Sequence, residues 1–229
     1  MFDNKKLKKL VVTYKKYFNT DFYSEKDKKF ANHLGRKCET KDDSWTGEGY
    51  KWVAVQHFQD NWDINVTDFV QMLAASLKKA RYVLLDSRHK FPFAGILKLA
   101  KAKPEKVKEL FINLYDEQVE PYERYENFIN GTAQLASDLA IDKWNRNYKQ
   151  DSHAVSVYLA CMYPDKYFIY SQEHMLALMH YLEADIDSFD IDSAETYQRF
   201  YDFYNHVREQ LKLDKKLPQI LYENLTRAM

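Results

Sequence analysis

The sequence predicts a mainly α-helical fold, a multi-helix single domain with one small two-stranded β element around residues 82–85 and 167–170. Three observations carry this. Only five glycines and five prolines occur in 229 residues, too few for a protein of many short strands and tight turns. Apolar residues recur at i, i+3, i+4 and i+7 through most of the chain, which lines one face of a helix. Hydrophobic residues make up 45% of the chain, with 18 Tyr and 14 Phe among them. Rings more than Val or Ile therefore supply the core of a chain long enough for one large domain or two small ones.

Taken in order, residues 5–18 place Leu7, Leu10, Val11, Tyr14 and Phe18 on one helical face, with lysines filling the solvated remainder. A second helix covers 24–38. The polar stretch Glu39–Gly49 then reads as a loop, so residues 1–44 form an N-terminal helical hairpin packed on a main helical domain, 45–229. Trp52, Val55, Phe58 and Trp62 give 50–61 a heavy aromatic face. Val66, Phe69, Val70, Leu73 and Leu77 form the cleanest helical stripe of all, with Asn65 as the expected cap and Asp68 three residues on. The short connection at Asp63-Ile64 favours antiparallel packing of this pair.

Beyond it, Tyr82–Leu85 breaks the helical period and suits a strand. Helices are expected after Pro92 and from Pro104, where a missing N–H costs nothing. A long helix should run from Pro121 to about Asn145 with Tyr122, Tyr125, Ile129, Leu135 and Leu139 inward. Gly131 in its middle marks a bend or a close helix contact. Polar residues Asn145–Ser152 separate it from a helix carrying Val155, Tyr158, Leu159 and Met162. After the turn at Tyr163–Lys166, Tyr167-Phe168-Ile169-Tyr170 is the best strand candidate and the natural partner of 82–85. Met175–Leu182 marks another helix. An acidic link, with Ser193 as its cap, leads to a strong helix bearing Tyr197, Phe200, Tyr201, Tyr204, Val207 and Leu211. A last helix runs from Leu217 to Met229 and meets no stop signal, as expected of a domain truncated before a further one.

Composition excludes several functions. Lys+Arg and Asp+Glu number 34 each, so no global field draws the chain to polyanions and any such contact must be local. Two cysteines, Cys38 and Cys161, lie far apart on apolar faces. That fits a reduced, cytoplasmic protein better than a disulfide framework. No leader peptide and no apolar run of membrane-spanning length is visible. His174 and His180 fall on different helix faces, and there is no HExxH or CxxC, so no metal is expected. Gly47-Glu48-Gly49 is not a phosphate-binding P-loop. Pro164-Asp165 and the distant Asp214-Lys215-Lys216 sit in a turn and a link rather than on adjacent strands, which two-metal nuclease chemistry requires. Cys161 has no paired base. No catalytic residue and no cofactor is expected.

One pattern does carry a binding chemistry. Basic and aromatic residues are interleaved in three places, around Trp45 and Lys51, around Arg88 and Lys90, and around Arg146 and Lys149. Cations hold phosphates and rings stack on bases, so Trp45, Lys51, Arg88, Lys90, Arg146 and Lys149 are the candidate DNA contacts. Trp52 shares the face of Val55 and Trp62 and belongs to the core.

A family resemblance starts in the same region. Tyr50-Lys51-Trp52, Val55, Phe58, Trp62-Asp63, Asp68-Phe69 and Met72-Leu73 resemble the N-terminal region of McrB-like proteins, the AAA+ GTPase subunits of modification-dependent (type IV) restriction systems. Phe91-Pro92, Pro104-Glu105, Val107, Leu114, Asp116-Glu117, Arg124 and Phe128 look like the same pattern continuing. So do Tyr158-Leu159, Tyr163–Tyr167 and Ile169-Tyr170. The likeness spans about residues 50–182 and consists of packing positions. It implies a non-catalytic recognition domain for phage defence, binding DNA with a modified or flipped base. It also implies a nuclease partner and homo-oligomerisation, both through a motor domain that this chain lacks. The alternative is a protein-interaction module that docks a nuclease subunit or sensor.

Overall fold

In the computed structural model, residues 3–18, 49–164, 166–184 and 194–211 are described. Among them the chain forms nine α-helices: α1 (Asn4–Phe18), α2 (Gly49–Asn61), α3 (Phe69–Ser76), α4 (Pro92–Ala102), α5 (Pro104–Tyr115), α6 (Pro121–Asp138), α7 (Ser152–Met162), α8 (Gln172–Tyr181) and α9 (Ala194–Leu211). Two five-residue π-helical turns, Arg81–Leu85 and Trp144–Tyr148, complete it. The mainly helical expectation holds.

The centre of the fold is α7. Nine of its eleven residues are buried, among them Ala154 to Cys161 without a break, and a helix apolar on all sides must be enclosed by others. Asp151 caps it, its carboxylate accepting from Ala154 N at 3.1 Å. The aromatic stretch singled out by the sequence packs against this helix. Phe58 of α2 stacks on Trp62 at 4.9 Å, and Trp62 meets Phe69, Phe111 and Tyr115. Phe111 carries the cluster on to Phe128 and, at 5.3 Å, to Tyr158 of α7. A second ring cluster joins α6 to α9, where Tyr125 stacks on Tyr197 at 4.2 Å. The first helix docks through Asp3 N to Leu182 O, 2.7 Å, and a Lys6–Glu183 pair at 2.7 Å.

The strand expectation fails on both sides, and the reason is local. Residues 81–85 close into a π turn in which Asp86 N reaches Arg81 O at 2.6 Å. Residues 167–170 are buried but form neither helix nor strand. At Tyr170 side chains take the place of a partner strand: its N donates to Ser156 Oγ at 2.8 Å, and its O lies 2.7 Å from His153 Nδ1. The other ring nitrogen of His153 is 2.6 Å from Leu84 O. The two segments expected to pair are thus joined through one imidazole.

Three further expectations need correction. Asp68, not Asn65, caps α3, accepting from Gln71 N at 2.9 Å, so the helix starts at Phe69 rather than Val66. The long helix ends at Asp138, because Ala140 and Lys143 take positive φ (47° and 58°), a conformation that cannot continue it. Its most buried positions are Arg124, Tyr125, Phe128, Thr132 and Ala136; Ile129, Leu135 and Leu139 pack half-buried against the core as expected, while Tyr122 is exposed. Gly131 proves to be the close contact rather than the bend: a Cβ there would lie 2.5 Å from Leu110 of α5. The expected helices at 24–38 and 217–229, the loop before Gly49 and the Ser193 cap lie outside the described residues, as does the side chain of Trp52.

Candidate nucleic-acid interface

The segment Ser87–Phe91 is polar and basic, and it folds as a tight turn. Ser87 N donates to Lys90 O at 2.7 Å and Lys90 N to Ser87 Oγ at 3.2 Å, which puts Arg88 and His89 at the exposed tip. Asp86 fixes its base by accepting from Phe93 N at 3.1 Å and from Arg81 Nε at 3.2 Å. The second segment, 143–150, departs from the sequence expectation of a plain polar link. It is a π turn with Trp144 buried inside it.

Four polar ties bring these segments together. Phe91 N donates to Asn147 O at 2.6 Å, and Asn147 Nδ2 returns a bond to His89 O at 2.8 Å, across 58 positions of sequence. Lys90 Nζ pairs with Asp151 Oδ2 at 3.0 Å. Gln150, fully buried, donates to Pro92 O and Tyr148 O at 2.9 Å each and accepts from Tyr158 OH at 2.6 Å. Buried polar groups bonded on every side hold one arrangement. Burial first, then the charges of Asp86 and Asp151, raises the Tyr158 hydroxyl well above its ordinary ionisation range, so it remains a donor.

Arg88, Lys90, Arg146 and Lys149 therefore share one edge, carried by the two tied segments. Arg88 and Arg146 are exposed and make no ion pair with another described residue. Lys51 stands apart: its side chain is 0% exposed on α2 and offers nothing to a phosphate. Trp45 lies outside the described residues. Two further cations adjoin the same edge, Lys143 from the same mixed basic and aromatic stretch as Arg146 and Lys149, and Lys98 from outside it. Lys98 of α4 sits 4.6 Å over the Tyr148 ring, and Lys143 precedes the π turn in the left-handed conformation. Lys98 gave no signal because it looks like any solvated helix lysine.

Two open clefts flank residues 141–143. One, of about 460 Å³, has Lys98, Lys143 and Tyr148 around an apolar wall of Leu139 and Ile141. The other, of about 610 Å³, runs over Ala133, Ala136 and Ala140 towards Trp144 and Arg146. Trp144 is 7% exposed, and its indole N–H meets no acceptor among the described residues, a deficit of about 1–3 kcal/mol for a buried donor.

Burial pushes the Cys161 thiol up to about 12, so it presents no thiolate near neutral pH. Among the described residues no three His, Cys, Asp or Glu side chains gather as a metal site, and no helix is long and apolar enough to cross a membrane. No family model, curated protein or solved structure matches this chain.

Proposed function

We propose that this chain is a non-catalytic recognition domain that binds DNA along the edge formed by residues 86–91 and 143–149. On this reading it is the front module of a cytoplasmic McrB-like restriction protein whose motor and nuclease partner lie elsewhere. One observation carries it: side-chain and backbone bonds join two basic segments 58 residues apart and leave Arg88 and Arg146 exposed on the joined edge. The chain has no net charge, so attraction to a polyanion rests on this local group. The packing positions of the family resemblance, among them Phe58, Phe69, Arg124 and Phe128, support the front-domain assignment.

About three phosphate contacts imply a slope of log K against log salt of roughly −2.7. Fluorescence anisotropy with modified and unmodified duplexes across a salt series measures it. The expected result is micromolar binding with that slope, lost in the Arg88→Glu/Arg146→Glu double variant. Absence of binding at low salt overturns the proposal.

A protein-docking role is the second reading, favoured by Tyr82 and Val83, which stand side by side and exposed (73% and 46%) on the first π turn. If the chain docks a nuclease subunit there, Tyr82→Ser abolishes co-purification and leaves DNA affinity unchanged.

A further inference from the structure

The turn between α6 and the second π turn borders the proposed DNA edge but holds backbone and cleft features that phosphate contacts alone do not use. Ala140 and Lys143 both carry positive φ, a conformation that glycine or asparagine adopts far more readily. Backbone held in such a state in non-glycine residues collects where a ligand is clamped. Lys143 borders both clefts, as do Ile141 and Asp142. Each cleft lies within the ordinary size range of small-molecule sites, about 300–1,000 Å³.

Their chemistry is mixed in a specific way. Lys98 and Lys143 face the smaller cleft and make no ion pair with a described residue. The ring of Tyr148 holds Lys98 at that rim. The larger cleft has an apolar floor of Ala133, Ala136 and Ala140 and runs to Trp144, whose buried N–H meets no acceptor among the described residues. Asp142 belongs to both. A carboxylate repels a bare phosphate but accepts from hydroxyl and amino groups.

We infer that the clefts astride Lys143 form a binding site for a nucleoside monophosphate, with the phosphate on Lys98 and Lys143, the ring over Ala133, Ala136 and Ala140, and Asp142 accepting from a sugar hydroxyl or base amine. The ligand class follows from the pairing of cations, an apolar floor and one carboxylate. The same unit can come from a free nucleotide or from the end of a strand. The site adjoins the proposed duplex-binding edge and shares Lys143 and Arg146 with its 143–149 segment, but it takes a single nucleotide rather than a duplex.

Isothermal titration of the full chain with adenosine, guanosine and cytidine 5′-monophosphates tests this. At least one binds with a Kd of about 10–500 μM, the range of a small ligand in an open cleft, and inorganic phosphate binds at least about tenfold more weakly because it meets only the cations and Asp142. Lys143→Asn removes the charge but suits the left-handed backbone, so it folds with an unchanged or higher Tm and weakens nucleotide binding about tenfold or more. Asp142→Asn narrows the gap between nucleotide and phosphate. A 5′-phosphorylated tetranucleotide that binds more tightly than the mononucleotides assigns the source to a strand end; equal or weaker binding assigns it to the free nucleotide. The inference is overturned if none of the monophosphates saturates, or if Lys143→Asn leaves their affinity unchanged. Duplex binding without nucleotide binding sinks this inference alone; nucleotide binding without duplex binding sinks only the DNA proposal.

Discussion

Replacing Gly95 by alanine sets two well-measured effects against each other. Gly95 lies on α4 directly under the second π turn, and a Cβ there would sit 2.3 Å from Tyr148 O, 2.9 Å from Tyr148 Cβ and 3.1 Å from Gln150 Nε2. Helix propensity alone favours alanine by about 0.8–1.0 kcal/mol. Against it, overpacking costs about 1–3 kcal/mol, and the obstacle is a backbone carbonyl that cannot rotate aside. Relief requires the 143–150 segment to lift, which breaks at least one of the two 2.9 Å bonds donated by Gln150, at about 1–3 kcal/mol for a buried polar group. The net expectation is a destabilisation of about 1–5 kcal/mol, read as a lowered urea midpoint at constant slope. Gly131→Ala is the control. Its Cβ meets the flexible end of Leu110, 2.5 Å from Cδ2, so that side chain yields and the change stays within about 1 kcal/mol. The Gly95 variant also weakens DNA binding without touching a charge, because Arg146 and Lys149 ride on the displaced segment. If Gly95→Ala is as stable as the parent, or if both glycines cost the same, the proposed packing of α4 against this segment is wrong.

Other consequences are as direct. Burial, opposed by Arg124, pushes the Tyr167 hydroxyl up to about 12, and burial does the same to the Cys161 thiol. Tyr115 and Tyr197 are raised well above their ordinary range, again mainly by burial. All are protonated in the folded chain at pH values where the unfolded chain ionises, near 9 for the thiol and 10 for the phenols. Stability is therefore full below about pH 9 and falls as pH rises towards 12, by up to about 1.4 kcal/mol per pH unit for each group. Urea unfolding at pH 8, 10 and 11 measures this, and a flat profile refutes it. Cys161 resists thiol reagents at pH 8 until the protein unfolds, as site-resolved mass spectrometry will read; labelling of the native state contradicts its burial. His153→Ala removes the imidazole between Leu84 O and Tyr170 O and lowers stability by about 1–3 kcal/mol. Asp68→Ala costs about 1 kcal/mol through loss of the α3 cap, and an unchanged midpoint would move the cap elsewhere.

What the sequence made legible was whatever repeats with a helical period or carries its own stop signal. The helices at Pro92 and Pro104 start where proline says they should, and the Phe58–Phe69 stretch packs its rings into one cluster. Periodicity placed Tyr125, Ile129 and Leu135 of α6, and Leu139 at its end, against the core but wrongly turned Tyr122 inward and missed the other buried positions. Small residues decide there: Gly131 and Thr132 let α5 approach closely, and that turns Tyr125, Phe128 and Ala136 inward. Of the candidate contacts, Arg88, Lys90, Arg146 and Lys149 were identifiable as charges, but nothing in the pattern joins them. Asn147, Gln150 and Asp151 do that, through side-chain bonds that have no period.

The failed β element shows the same physics from the other side. An aromatic, β-branched run such as Tyr167–Tyr170 reads as a strand because its buried backbone groups need partners. Here Ser156 and His153 satisfy Tyr170, and Arg124 holds the start of the run. Its guanidinium donates to Tyr167 OH at 2.5 Å and to Leu114 O at 3.0 Å while lying 5.6 Å from the Tyr167 ring centroid. With Tyr170 bonded from α7 and Tyr167 held from α6, the run is fixed without a paired strand, and residues 82–85 instead form the π turn that carries Tyr82 outward. The basic edge is built by the same device, side chains of one segment capping the backbone of another. Its geometry therefore depends on a few buried polar residues beneath the surface rather than on the cations themselves. Charge reversal at Arg88 should abolish binding and leave the fold intact, whereas loss of Gln150 should disturb both.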